Sequence, residues 1–413
     1  MSAAVSAYDA GLRDILILER EDALGGILKQ CIHSGFGLEL FGEELTGPEF
    51  AGRLARKVEE RGIECELAAT ALDISPDRTV TATSAKRGIF KIRAGAIVLA
   101  MGCRERPRGA LNIPGTRPAG IYTAGTAQRY VNIDGYLPGK KVVILGSGDI
   151  GLIMARRMTL EGAKVLAVCE LMPYSGGLPR NIEQCLNDFN IPLLLSHTVT
   201  KIHGSERLTG VTISEVRTGP DGRRAPDPST ERFIECDTLL LSVGLIPENE
   251  LSGACGIVMD STTKGAVVDQ DRETSVPGIF ACGNVLHVHD LADFASAEAE
   301  IAGRSAAAYV LSESKNDTRL ALRPDGKVRY TVPQVIRRAE DVEVYFRVGG
   351  IFPGATVKVI AAKPGEEDSR GEVILTRKFL KLTPGVMETV KLAGNKLAGL
   401  AEGTELRFRL STD

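Results

Sequence analysis

Tryptophan is absent from the 413 residues, and aromatic residues make up only 5% of them. That leaves little from which to build the stacking platforms that single-stranded nucleic acids use. The net charge is -3, so no overall basic field points to a polyanion, and no nucleic-acid partner is expected. Eight cysteines stand at 31, 65, 103, 169, 185, 236, 255 and 282, with no CxxC or CxxxxC pair among them. The spacing excludes a zinc knuckle and gives no local redox disulfide, which reads as a reduced, cytoplasmic chain. No apolar run approaches the length of a membrane span, and no secretory signal opens the sequence.

Glycine, by contrast, is plentiful at 45 residues, and 43% hydrophobic content supplies the cores of two or three domains. One stretch, Lys141 to Glu170, carries all the parts of a dinucleotide-binding βαβ unit. Val142 to Leu145 is an apolar run of the kind found in buried parallel strands. Gly146 allows the tight turn, Gly148 lets the backbone approach a pyrophosphate, and Gly151 lets helix and strand pack closely. Asp149 precedes a helix from about Ile150 to Glu161 whose N-terminal N–H groups and dipole suit phosphate, and Asp149 and Ile150 join the candidate cofactor-binding residues. Glu170 follows Gly146 by 24 residues at the end of the next strand. A carboxylate there accepts both ribose hydroxyls and repels a 2′-phosphate, so NADH is expected over NADPH.

The amino-terminal stretch MSAAVSAYDAGLRDILILERED reads as the second half of another such unit: a small-residue helix Ala3 to Ala10, a stop at Gly11, and a strand Asp14 to Leu18 closing on Glu19. Its opening strand and glycine loop are missing from the sequence. Either the start lies upstream, or this copy binds its first cofactor poorly, since no backbone nest precedes the helix. Glu19 matches Glu170 in role, or is one of a surface run of charges. Gly25 and Gly26 permit close backbone approach to a ligand, and Cys31, His33 and the glycines 35 and 37 continue an unusually apolar loop.

A helix from Pro48 to Gly62 buries Phe50, Leu54 and Val58, and short strands at Glu64 to Ala68 and Thr79 to Thr83 follow. Ala96 to Ala100 reads as a buried strand ahead of Gly102. Asp237 to Pro247 repeats that plan around Gly244, with a glycine-punctuated crossover, Ile113 to Gly139, between the two. Val276 to Asn284 reads as a strand ending at Gly283, then Leu291 to Leu311 as an alanine-rich helix able to take a backbone or ligand closely. Past a polar linker, Ser314 to Asp317, strands alternate at 342 to 348, 356 to 361, 372 to 376 and 404 to 410. PG turns at 353, 364 and 384 are expected to separate them, in a small antiparallel domain of the sandwich type.

With GSGDIG, AMGCRERP and GIFACGNV in place, residues 1 to 311 resemble the pyridine nucleotide-disulfide oxidoreductase superfamily, flavoproteins with two dinucleotide-binding domains. AMGCRERP resembles its ATG signature, and GIFACGNV its closing GxxxAGD segment. The finer pattern of LGGILKQCIHSGFG and ERPRGALNIPGTRPAGIYTAGTAQ is similar to the branch holding the FAD/NAD subunits of opine and sarcosine oxidases and of anaerobic glycerol-3-phosphate dehydrogenases. The resemblance implies an α/β chain with two Rossmann-like domains, binding FAD and NAD, and the carboxy-terminal β domain read from the alternation lies beyond it. The boundaries are 1–135 with 270–312 for FAD, 136–269 for NAD and 318–413 for the β domain. It also implies that Glu19 holds the adenosine ribose of FAD, that Gly25 and Gly26 lie along the ribityl and isoalloxazine, and that Gly102, Gly283 and Asn284 line the same cofactor. Asn284 stands where the family has aspartate, and the paired cysteines of disulfide reductases are missing.

Cys31 and His33 are the candidate catalytic groups beside a flavin, the thiol only if a neighbouring cation lowers its pKa; the plainer reading is loop packing. His287 and His289 look like a metal pair, but no third ligand stands at suitable spacing, so no metal is expected. The functional expectation is an NADH-linked flavin oxidoreductase that exchanges electrons with a partner dehydrogenase subunit and takes a small-molecule substrate, with oligomer formation left open. The alternatives are a stand-alone NADH reductase of a quinone, oxygen or a thiol, and a catalytically silent structural subunit.

Overall fold

The computed structural model describes residues 1–219, 222–311 and 319–412. The chain forms two compact units, Arg104–Ile246 and the remainder, Met1–Cys103 with Pro247–Asp413.

In the first of these, five parallel strands lie in the order Ile121–Thr123, Thr238–Leu241, Lys141–Leu145, Lys164–Glu170 and Leu193–Leu195. The central strand is buried from Val142 to Leu145, because both faces of a parallel sheet are covered and its strands must be apolar throughout. One face packs on the helix Asp149–Leu160 through Leu152, Met154, Ala155 and Met158, all fully buried. The other packs on Val199, Ile202, Val211 and Ile213 of the antiparallel strands His197–Gly204 and Leu208–Thr218. The expected boundary at 136 is corrected here. Ile121 to Thr123 lie in register with Leu239 to Leu241, so the unit begins earlier. Beyond 246, Cys255, Ile257, Ala266 and Val268 pack instead with Ile74, Leu99 and Ile279 of the other unit. In the run Asp237 to Pro247 the strand is Thr238–Leu241, and beyond Gly244, whose φ is 103°, a second short strand, Leu245–Pro247, follows.

In the larger unit the helix Ser2–Asp9 crosses the helix Ala292–Val310 at contact distance. A Cβ at Gly303 would lie 2.0 Å from the Ala3 carbonyl oxygen, and Ser6 Oγ donates to Glu300 O at 2.8 Å. The small residues of the long helix thus admit a neighbouring backbone. Leu16–Leu18 pairs in parallel with Glu64–Glu66, and Ile97–Leu99 with Ile279–Ala281. Among the described residues no strand joins these two pairs into one sheet. The helix Gly47–Glu60 starts at a capping box in which Thr46 and Glu49 satisfy each other's backbone N–H, and it buries Phe50, Leu54 and Val58 as its periodicity requires.

The carboxy-terminal strands form a five-stranded and a three-stranded sheet around their own core of Val344, Phe346, Val357, Val359, Leu406 and Phe408. The PG at 353 makes no turn between strands: Pro353 sits inside Phe352–Ala362, opposite Lys381. The expected linker at Ser314 to Asp317 lies outside the described residues. This β domain is fastened by charge and hydrogen bonds. Arg337 reaches Asp269 at 3.3 Å, Arg338 pairs with Asp271, and Gln334 Oε1 accepts the Val268 N–H at 2.9 Å. Burial pushes the Asp269 carboxyl up to about 6, with repulsion from Asp271 adding to it and Arg337 opposing. Arg347 clamps the segment after Gly283, donating from Nη2 to Val288 O at 3.0 Å and pairing with Asp290.

Candidate dinucleotide-binding sites

The glycine turn in the Arg104–Ile246 unit is shaped by one close approach. Gly146 has φ 99°, and a Cβ there would stand 2.0 Å from the Ser242 carbonyl oxygen. A Cβ on Gly151 would meet Gly146 O at 2.7 Å, and the Gly151 N–H donates to Ser242 Oγ at 3.1 Å. Gly148 is different: φ is -67°, and its nearest neighbour would be Ser242 Oγ at 3.5 Å. Gly146 and Gly151 are therefore demanded by the fold, whereas Gly148 is open on the side where a ligand's backbone contact would fall. Asp149 and Ile150 form the first turn of the helix. Asp149 Oδ1 accepts the Leu178 N–H at 2.8 Å and Asn181 Nδ2 at 2.6 Å, so this acid orders the Ser175 to Asn181 loop.

Glu170 ends its strand as expected and faces the turn. Its Oε2 accepts from Ser147 N at 2.9 Å and Ser147 Oγ at 2.6 Å, and its Oε1 from Met172 N at 2.9 Å. Glu170 thus braces the glycine loop. Ser147 and Ser242 were missed by the motif, which scores glycines; a hydroxyl between two glycines and one just after an apolar strand were the available signals. Gly244 lies at the end of the neighbouring strand, and its carbonyl accepts the Arg106 N–H.

The larger unit contains Glu19, Gly25, Gly26, Cys31, His33, Gly102, Gly283 and Asn284. Glu19 Oε1 accepts the Glu21 N–H at 3.0 Å. Gly26, Gly102 and Gly283 all have positive φ, and a Cβ on Gly26 or Gly102 would meet nothing within 4 Å. Gly25 is tighter, its Cβ position 3.0 Å from the Ala51 methyl. Asn284 bridges two segments: Oδ1 accepts the His289 N–H at 2.9 Å and Nδ2 donates to Cys103 Sγ at 3.5 Å. Asp293, which no local motif marks, takes the N–H groups of Gly37, Glu39 and Leu40. One buried carboxylate so holds a loop more than 250 residues away in sequence.

Cys31 lies against Gly47, where a Cβ would sit 2.7 Å from the Cys31 carbonyl oxygen. Burial pushes its thiol up to about 12, and Sγ donates to Ile27 O at 3.3 Å. His33 Nδ1 is 2.9 Å from Ser34 O, and its ring tilts against Phe36. His287 and His289 converge on Glu298, a buried carboxylate of the Ala292–Val310 helix that also pairs with Arg272. Glu298 is thus a third polar group that local spacing did not reveal.

The donor set in the Arg104–Ile246 unit fits a pyridine dinucleotide: a glycine turn at a helix N-terminus with a carboxylate on the adjoining strand. In the larger unit the acid at Glu19 and the unobstructed glycines 26, 102 and 283 suit a flat cofactor laid along backbone, as FAD is. The family model for pyridine nucleotide-disulphide oxidoreductases matches residues 1–299. The chain belongs to that family, whose members are FAD- and NAD(P)-dependent oxidoreductases.

An opine oxidase subunit of Agrobacterium tumefaciens is 27% identical over 251 residues, 58% of this chain and 47% of that protein. A probable ferredoxin reductase of Castellaniella defragrans is 30% identical over 200 residues, 46% and 43% of the two chains. The chain spans about half the length of such curated relatives or less. Among solved structures, thioredoxin reductase of T. acidophilum superposes with a TM-score of 0.58 at 24% identity, covering 76% of this chain and 94% of its own. A ferredoxin reductase from Rhodopseudomonas palustris gives 0.53 at 20% identity, covering 96% and 89%. Both likenesses establish the fold. Among the described residues no helix is long and apolar enough to cross a membrane.

Proposed function

We propose that the chain is the nucleotide-handling part of an NADH-linked flavin oxidoreductase that exchanges electrons with a partner handling an organic substrate. The observation that carries this reading is Glu170, placed on the glycine turn through Ser147 and bearing a charge that disfavours a 2′-phosphate. The likeness to one component of an opine oxidase, itself named as a subunit, supports the partner. The flavin, when bound, supplies the electron chemistry; the protein's own share is binding, orientation and exclusion of water. Cys31 fits a packing role better than a nucleophilic one, because burial keeps its thiol protonated at neutral pH. A disulfide-reducing reading therefore has less support than electron transfer through flavin alone.

The test is the ratio of NADPH to NADH dissociation constants, followed by nucleotide fluorescence, in the native chain and in Glu170→Gln. A charged hydrogen-bonding group contributes about 1.5–3 kcal/mol, so NADH should weaken by roughly ten- to a hundredfold. The preference over NADPH should shrink with it. Equal affinities for the two nucleotides in the native chain would sink the NADH assignment.

A further inference from the structure

We propose that His287, His289 and Glu298 form a buried site for a divalent metal ion of the zinc class. The site does not depend on the flavin reading. Its three ligand atoms lie within 4.8 Å of one another. His287 Nε2 is 3.1 Å from Glu298 Oε1, and His289 Nε2 is 2.9 Å from Oε2. All three side chains are at most 1% exposed. Zinc bonds of about 2.0–2.2 Å to nitrogen and oxygen place tetrahedral ligands roughly 3.3 Å apart. Both imidazole–carboxylate separations lie within a few tenths of an ångström of that spacing.

The surroundings of Glu298 are those of a ligand rather than of a finished ion pair. Arg272 bonds it through Nε alone, at 3.0 Å to Oε1, while Gly283 N donates to Oε2 at 2.8 Å. Arg272 Nη1 is engaged by Gln270 O, and its Nη2 has no partner among the described residues. A buried arginine that served only to neutralise this carboxylate would be expected to fork across both oxygens. Here each oxygen instead keeps one lone pair, directed at an imidazole edge. Arg272 and Gly283 then act as the outer supports that hold a ligating carboxylate in its plane.

At both rings Nε2 is the nitrogen that faces the carboxylate. Neither His287 Nδ1 nor His289 Nδ1 has a partner among the described residues, so what Nε2 meets decides each tautomer. As a hydrogen-bond hub, each ring places its Nε2 proton on its own oxygen of the carboxylate. With an ion, both Nε2 lone pairs and the carboxylate are used together. Charge sets the remaining requirement. Arg272 already balances Glu298, so the two charges of the ion are the main cost. Three protein ligands leave a fourth position, and an anionic ligand there, hydroxide included, reduces that cost.

The experiment uses the full chain without any added histidines, stripped by a chelator and titrated with Co²⁺ under visible absorbance, then with Zn²⁺. The expected result is one equivalent of cobalt, with the intense visible bands of a four-coordinate site and no thiolate charge-transfer band, displaced by zinc. His287→Gln/His289→Gln should lose at least a hundredfold in cobalt affinity. A native chain that stays folded by circular dichroism yet binds no cobalt in these bands overturns the proposal, and so does undiminished binding by the double variant. Because the native spectrum decides by itself, a variant that fails to fold leaves the proposal open to refutation.

Discussion

Gly146→Ala is expected to remove much of the Arg104–Ile246 unit's stability and to abolish NADH binding, whereas Gly148→Ala should impair binding alone. At Gly146 an added methyl would enter a backbone conformation with φ 99° and lie 2.0 Å from Ser242 O and 2.6 Å from Ser242 C. The strain and the overlap each cost on the order of 1–3 kcal/mol, and the neighbour that must give way is the backbone of a strand end, not a side-chain tip. A loss of roughly 3 kcal/mol or more follows. At Gly148, φ is -67° and the nearest atom to the new methyl is 3.5 Å away, so stability should change by less than about 1 kcal/mol. The methyl does, however, fill the side where a pyrophosphate would touch the backbone. Denaturant unfolding and NADH titration of both variants check this. Equal stability losses would contradict the geometry.

The second large effect concerns the ion pair beneath Gly283. Glu298→Ala leaves Arg272, 1% exposed, without a counter-charge, and breaking a buried pair by removing one partner costs about 3–5 kcal/mol. The same deletion strands the Gly283 N–H and both imidazole Nε2 groups. Arg272→Met/Glu298→Leu should recover a good part of that loss, because an apolar pair of similar volume avoids desolvating two charges. Chelator in the buffer separates this cost from any contribution of a bound ion. A Glu298→Ala chain as stable as the native one would mean that the cluster is hydrated, contrary to its burial.

These two sites also mark what was legible in the sequence. Gly146, Gly151 and Glu170 could be read directly, because a turn between a strand and a helix imposes fixed spacings on a local stretch. Likewise Phe50, Leu54 and Val58 declare a buried helix face through periodicity alone. The convergence of Arg272, His287 and His289 on Glu298 could not be read, since only the tertiary course of the chain brings two loop segments and a helix to one point. Asp293 escaped for the same reason, its partners being Gly37, Glu39 and Leu40. The unit boundary at 136 missed because strand pairing draws Ile121–Thr123 across a stretch that looks like a connection. Pro353 misled because proline tolerates a strand wherever its missing N–H is not needed, and it lies inside Phe352–Ala362.

The most direct test of the central claim is anaerobic addition of NADH to the purified chain after incubation with FAD and removal of excess, with the flavin absorbance recorded throughout. An NADH-linked flavin oxidoreductase should retain flavin and bleach it with NADH, while NADPH at the same concentration acts far more slowly. Retained flavin that NADH leaves oxidised, or no retained flavin at all, would contradict the account.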